Sequence, residues 1–314
     1  MPHRSGPAVP VLLFLLMLLS GCATSPPEIP AEADAFHHLP IHTIQVHGSR
    51  LAYLDVGQGP PVILLHGLGG AMWQWEHQQI PLATSHRVLT LDLIGSGLSD
   101  KPSMEYTPTE MADSVKGFMD ALHVERASLV GQSMGAGVAI GMALMYPERV
   151  DRLVLISGFP DHVREKLPSR IMKDALDTWA PVWVAQLANW VVGRGPTQRV
   201  LEEVVYDRSL LTPAVIERSY RNRRRAGMLP PLFALMRSLP LWEEGFAKRL
   251  GAVRQPTLIL WGSEDRVFPA KVGEEMHAIM SGSRFALIPK TSHLPQWERP
   301  DLVNDLMLAF FRPS

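Results

Sequence analysis

Short apolar runs recur along this chain at Pro61–Leu65, Val88–Leu93, Ala127–Val130, Leu153–Ile156, Thr257–Leu260 and Arg284–Ile288. A strand that is apolar at nearly every position, rather than every second one, is buried on both faces. Helical patterns lie between several of these runs. Thr109–Leu122 carries Met111, Val115, Phe118, Met119 and Leu122 at helical spacing. Met134–Tyr146 is almost wholly apolar, and Glu298–Phe311 closes the chain. Strand-like segments at Ile41–Val46 and Leu51–Val56 precede the first buried run. Strands alternating with helices imply an α/β fold: a mostly parallel sheet with helices on both faces.

The alternation breaks between Gly158 and Gly251. That stretch reads as helical throughout, so a helical cap inserted at about 159–250 is expected above the sheet. Trp179, Trp183 and Trp190 are spaced to share one helix face. That face is expected to pack on the core domain, with part of it lining an apolar pocket. Arg218, Arg221, Arg223, Arg224 and Arg225 form a charge cluster within the cap, read as a solvated helix face. Contact with anionic lipid head groups is the other reading of that cluster.

The chain has 314 residues, 46% of them hydrophobic, enough for a sizeable core. A formal net charge of −1 excludes a strongly basic protein, and no nucleic-acid partner is expected. At the N-terminus, Arg4 precedes the apolar run Val11–Leu19. Crossing a bilayer takes about 20 apolar residues, so this run has the length of a signal-peptide core rather than of a membrane span. Leu19-Ser20-Gly21-Cys22 follows, and it resembles the lipobox of bacterial lipoproteins. The resemblance implies a signal peptide over 1–21 and a mature chain anchored to membrane through lipidated Cys22. Ala23 follows the cysteine where inner-membrane lipoproteins carry Asp, which favours the outer membrane, facing the periplasm. Cys22 is the only cysteine, so no intramolecular disulfide forms. Residues 22–40, with Pro26, Pro27, Pro30 and Pro40, read as a tether to a folded domain over 41–314.

Gly131-Gln132-Ser133-Met134-Gly135 joins a buried strand to a helix. A serine between glycines on such a tight turn is lifted into the open at a helix N-terminus, where negative charge is stabilised. A serine hydroxyl is a weak nucleophile that needs a base, and the base needs an orienting acid. Asp265 stands in the loop after one buried run and His293 after the last. Both fall where the carboxyl ends of parallel strands converge on one crevice. Glu264, next to Asp265, and Asp161, after the preceding strand, are the other carboxylates to weigh for the acid.

Together with His66-Gly67-Leu68-Gly69-Gly70, Asp92–Ser99, Trp261–Asp265 and Ser292-His293, the glycine-flanked serine resembles the α/β-hydrolase superfamily over about residues 41–314. The resemblance implies an α/β-hydrolase fold with Ser133, Asp265 and His293 as catalytic triad. It implies an oxyanion hole formed by the backbone N–H groups of Met134 and Leu68, with His66 and Asp92 structural. The branch holds esterases, epoxide hydrolases, dehalogenases and meta-cleavage-product hydrolases. Ser133 departs from the Asp nucleophile of the epoxide hydrolases and dehalogenases. Ser133-Met134-Gly135 and Gln296-Trp297-Glu298 are similar to the meta-cleavage group, whereas Gln132 and Leu294 depart from its usual Asn and Trp. Carboxylic-ester hydrolysis through an acyl-enzyme is therefore the expected activity, on a small acyl substrate with an apolar portion. Carbon–carbon bond hydrolysis and a non-catalytic binding protein on the same fold are the alternatives. No metal or organic cofactor is expected.

Overall fold

The computed structural model describes residues 39–168, 173, 184 and 191–312. Eight strands form one sheet: β1 (His42–Val46), β2 (Ser49–Val56), β3 (Pro61–Leu65), β4 (Arg87–Leu91), β5 (Ala127–Gln132), β6 (Val150–Ile156), β7 (Thr257–Gly262) and β8 (Arg284–Ile288). Their order is β1-β2-β4-β3-β5-β6-β7-β8. The β1–β2 and β2–β4 pairs are antiparallel and the rest are parallel. The period of two divides the central strands between two cores. Val62, Leu64 and Val130 face one core, and Ile63, Leu65 and Leu129 the other, all fully buried.

The longer helices are α1 (Pro108–Ala121), α2 (Met134–Met145), α3 (Gly195–Val204), α4 (Pro213–Arg223), α5 (Leu229–Arg237), α6 (Ala270–Ile279) and α7 (Pro300–Phe311). Helix α1 opens on a reciprocal cap in which the Thr107 hydroxyl accepts from Glu110 N–H and the Glu110 carboxylate accepts from Thr107 N–H. Helix α2 is buried from Met134 to Ala143, which is why its sequence shows no polar face. The C-terminal helix differs from the expected single span. A short helix at Pro295–Glu298 stops at Arg299, whose ψ of 60 lies outside the helical region, before α7 begins at Pro300. The proline ring disfavours helical backbone in the residue before it.

A run of helices stands between β6 and β7. Its described part comprises the short helices Val163–Lys166 and Leu239–Gly245 together with α3, α4 and α5. Trp179, Trp183, Trp190, Cys22 and the apolar run before it lie outside the described residues. The arginine cluster is not the solvated face that its composition suggests. All five arginines are half-buried. Arg218 pairs with Glu76, Arg221 with Glu217, and Arg223 donates to the Val192 and Gly193 carbonyls. The Arg221–Glu217 pair is an i,i+4 contact within α4, but the acceptors of Arg218 and Arg223 come from other segments, so charge spacing along the helix does not reveal them.

Candidate active site

The turn after β5 holds Ser133 at φ 50 and ψ −118, a region costly for a residue with a side chain. The strain is sustained by its surroundings. Ser133 N–H donates to the Ile156 carbonyl at 2.9 Å. A Cβ at Gly131 would overlap the Gly135 carbonyl, and one at Gly135 would overlap the Leu65 carbonyl. Both glycines are therefore required by close backbone approach, as the motif implied. Met134 is the first residue of α2, and the first-turn N–H groups of a helix have no intrahelical acceptor.

Asp265 and His293 come together from the loops after β7 and β8. His293 Nδ1 lies 2.9 Å from Asp265 Oδ2, with the Asp265 side chain fully buried. Asp265 Oδ1 accepts from the Val267 and Phe268 amides at 2.8 and 2.9 Å, which fixes the carboxylate plane. A proton on Nδ1, donated to the carboxylate, leaves Nε2 as the acceptor nitrogen. The ring is held on other sides too. His293 N–H donates to the Val204 carbonyl, the His293 carbonyl accepts from Gln132 Nε2, and Phe268 packs edge-on against the imidazole. The other carboxylates are engaged elsewhere: Asp161 pairs with Lys166, and Glu264 accepts from the Ser263 hydroxyl.

The loop after β3 is a tight turn closed by Gly70 N–H donating to the Gly67 carbonyl, with Gly69 at φ 69. His66 is fully buried, and both its ring nitrogens are occupied. Nδ1 lies 2.8 Å from the Gly67 carbonyl, and Nε2 accepts from Leu93 N–H at 3.1 Å. Burial holds its pKa below the ordinary histidine value. It is a neutral strut for the loop, as expected. Asp92 likewise accepts from Met72 N–H and Leu98 N–H and serves a buried turn.

Ser133, His293, Leu68 and Met134 all line one cavity of about 420 Å³ between sheet and cap. Its cap wall includes Val200, Leu201 and Val204 from α3 and Leu232, Leu235 and Met236 from α5. Its floor includes Trp73, Val138 and Phe268. Arg223 is the one permanently charged side chain among the described lining residues. Among the described residues no cluster of three or more His, Cys, Asp or Glu could hold a metal ion.

Several residues tie cap to core in ways that the sequence did not indicate, although Glu298 belongs to the Gln296-Trp297-Glu298 motif. Glu298 is buried and its carboxylate accepts from Tyr206, Asp207 and Ser292 N–H at 2.7, 2.9 and 2.7 Å. Burial pushes its carboxyl above the ordinary range, and the three amides act against that rise. The Ser292 hydroxyl donates to the Glu203 carbonyl, and Arg266 donates to the Glu202 carbonyl. The C-terminal end of α3 thus receives bonds from both the aspartate and the histidine loops.

A family profile for the alpha/beta hydrolase fold matches residues 60–300. The chain belongs to the α/β-hydrolase family. This α/β-hydrolase is 30% identical over 269 residues to a 2-hydroxy-6-oxononadienedioate/2-hydroxy-6-oxononatrienedioate hydrolase of Comamonas testosteroni, covering 83% of this chain and 91% of that one. Among solved structures, it resembles a meta-cleavage product hydrolase from Pseudomonas fluorescens IP01, with 27% identity, a TM-score of 0.75 and coverage of 87% and 97%. It also resembles Est816, an N-acyl homoserine lactone degrading enzyme, with 26% identity, a TM-score of 0.72 and coverage of 86% and 100%. Like these relatives, the α/β-hydrolase described here is an enzyme.

Proposed function

We propose that this enzyme hydrolyses carboxylic esters with an apolar acyl portion through a covalent acyl-enzyme. Ser133 Oγ attacks the acyl carbonyl while His293 Nε2 takes its proton, and Asp265 stabilises the imidazolium that results. The Leu68 and Met134 amides hold the tetrahedral oxyanion. Collapse expels the alcohol, which takes the proton from His293, and water then releases the acid by the same steps.

The observation that carries the reading is the cavity at Ser133, walled mainly by aliphatic and aromatic side chains. Two of the polar side chains on the lining are already engaged. Gln132 Nε2 is bonded to the His293 carbonyl, and Arg223 to the Val192 and Gly193 carbonyls. A dienoate whose polar end met either of these two groups would displace such bonds, whereas an alkyl ester would not.

The second reading is hydrolysis of a carbon–carbon bond in a dienoate ketone, favoured by the meta-cleavage relatives. The deciding measurement is kcat/KM for p-nitrophenyl esters of rising chain length beside one meta-cleavage ketone. A rising ester series with slow ketone turnover supports esterase activity. Rapid ketone cleavage over a flat, barely detectable ester series overturns it. A serine-directed phosphonate should label Ser133, and Ser133→Ala should lose most turnover; labelling at another serine in a fully active mutant rejects the triad.

We further propose that the mature protein starts at lipidated Cys22, since the cysteine follows the apolar run directly on small residues. Cys22→Ser should release or misprocess the protein. Intact mass of membrane-extracted material decides this: a product cut elsewhere, without added lipid, refutes it.

A further inference from the structure

The direction of the Leu68 N–H is set by the peptide that it shares with Gly67. That peptide is trans and planar, so the N–H points opposite to the Gly67 carbonyl. Two donors, His66 Nδ1 and Gly70 N–H, hold the Gly67 carbonyl from within the core. A third hold on the same turn comes from the cap. Asn222 on α4 is 5% exposed, and its Nδ2 donates to the Gly69 carbonyl at 3.1 Å and the Gly70 carbonyl at 3.3 Å. One helical turn earlier, Arg218 pins the same face of α4 to Glu76. The turn is thus held by β3 and its neighbours on one side and by a cap helix on the other.

We propose that Asn222 is a positioning residue for the oxyanion hole: by holding the Gly69 and Gly70 carbonyls it fixes the aim of the Leu68 amide. The cap then contributes to transition-state stabilisation as well as to the substrate wall. The proposal rests on the oxyanion role of Leu68 given above. An amide that is present but misaimed loses part of the effect of a missing donor, which is worth roughly 10²–10³ in kcat.

Three readouts on Asn222→Ala and the near-isosteric Asn222→Asp test it: kcat, inhibition by a boronic acid that forms a tetrahedral adduct on the serine, and the Kd of an intact ester measured in a Ser133→Ala background. Both variants should lose about tenfold to a hundredfold in kcat and weaken boronate inhibition by a similar factor. The ester Kd should change less than about twofold, because the ground state makes little use of the oxyanion donors. Asn222→Asp keeps the shape but turns a donor towards two carbonyl oxygens into an acceptor, so wild-type kcat in that variant overturns the proposal. So does a loss confined to ester Kd, which would make Asn222 a substrate contact, or a loss of kcat with boronate inhibition intact. Phosphonate labelling of Ser133 in the unaltered protein is independent of Asn222, so failure of the hydrolase reading is distinguishable from failure of this one.

Discussion

The Arg218 guanidinium on α4 meets the Glu76 carboxylate of the core as a two-pronged pair, with each terminal nitrogen 2.8 Å from one carboxylate oxygen. Trp297 Nε1 donates to the same carboxylate at 2.7 Å, and the guanidinium lies over the Trp73 ring. Four residues from three segments thus share one partly buried ion pair across the cap boundary.

Arg218→Ala should cost about 2 kcal/mol, since hydrogen bonds to charged groups are worth roughly 1.5–3 kcal/mol. That corresponds to a fall in Tm of about 5 °C. Burial acts to raise the Glu76 carboxyl, but the Arg218 bonds and charge and the Trp297 donor outweigh it, and the pKa sits below the ordinary range. A depressed carboxyl contributes stability that is full above the unfolded value, about 4.3, and is lost as pH falls through the lower folded value. The variant should therefore lose its deficit relative to wild type in strong acid, as read by thermal melts across pH. An unchanged difference at all pH values would reject this account.

Asp265→Asn should lower kcat by about 10⁴, because the amide no longer holds the Nδ1–H tautomer of His293. Asp161→Asn should stay near wild type, since Asp161 is paired with Lys166 rather than with the histidine. The reverse pattern would move the acid to Asp161.

Glu298→Gln replaces one acceptor oxygen by an NH2 group that must face a backbone N–H. The Ser292 amide and the Tyr206–Asp207 turn both depend on that carboxylate. Displacement of the peptide next to His293 should lower kcat by roughly tenfold to a hundredfold. Steady-state kinetics with full activity in this variant would show that the histidine loop stands without it.

Leu235 lines the cavity from α5, so its size should set the longest acyl chain accepted. Each buried methylene is worth about 0.8 kcal/mol, or roughly fourfold in kcat/KM, until the space is full. Leu235→Trp should move the optimum of the ester series to shorter chains, and Leu235→Ala to longer ones. An optimum that ignores both substitutions would put the acyl chain elsewhere.

The centre of the sheet was legible in the sequence because strands such as β3, β4, β5 and β7 are buried on both faces, and burial leaves continuous apolar runs such as Val62–Leu65; the edge strand β8 is partly exposed despite its apolar run. The Asp265–His293 pairing was legible because parallel strands deliver their loops to one end. The elbow was legible because backbone crowding permits only glycine at Gly131 and Gly135. The cap was readable as an insertion and no further. Glu76–Arg218 and Gly69–Asn222 join residues about 150 positions apart, and no local spacing encodes such a contact. The same blindness made the arginine cluster look solvated. The break at Arg299 did have a local sign, the proline after it, which outweighed the helical pattern around it.

The bonds from the His293, Asp265 and Gly67–Gly70 loops to α3 and α4 bear on how a substrate arrives. Lifting these helices would break them together, at roughly 1 kcal/mol each, and would undo the reacting geometry at the same time. Leu68 and Val200 line the cavity yet are 41% and 40% exposed, so they stand at its opening to water. Among the described residues, these bonds favour entry and exit beside Leu68 and Val200 with α3 and α4 in place. The size of these two door-posts governs how fast molecules pass, separately from how fast they react.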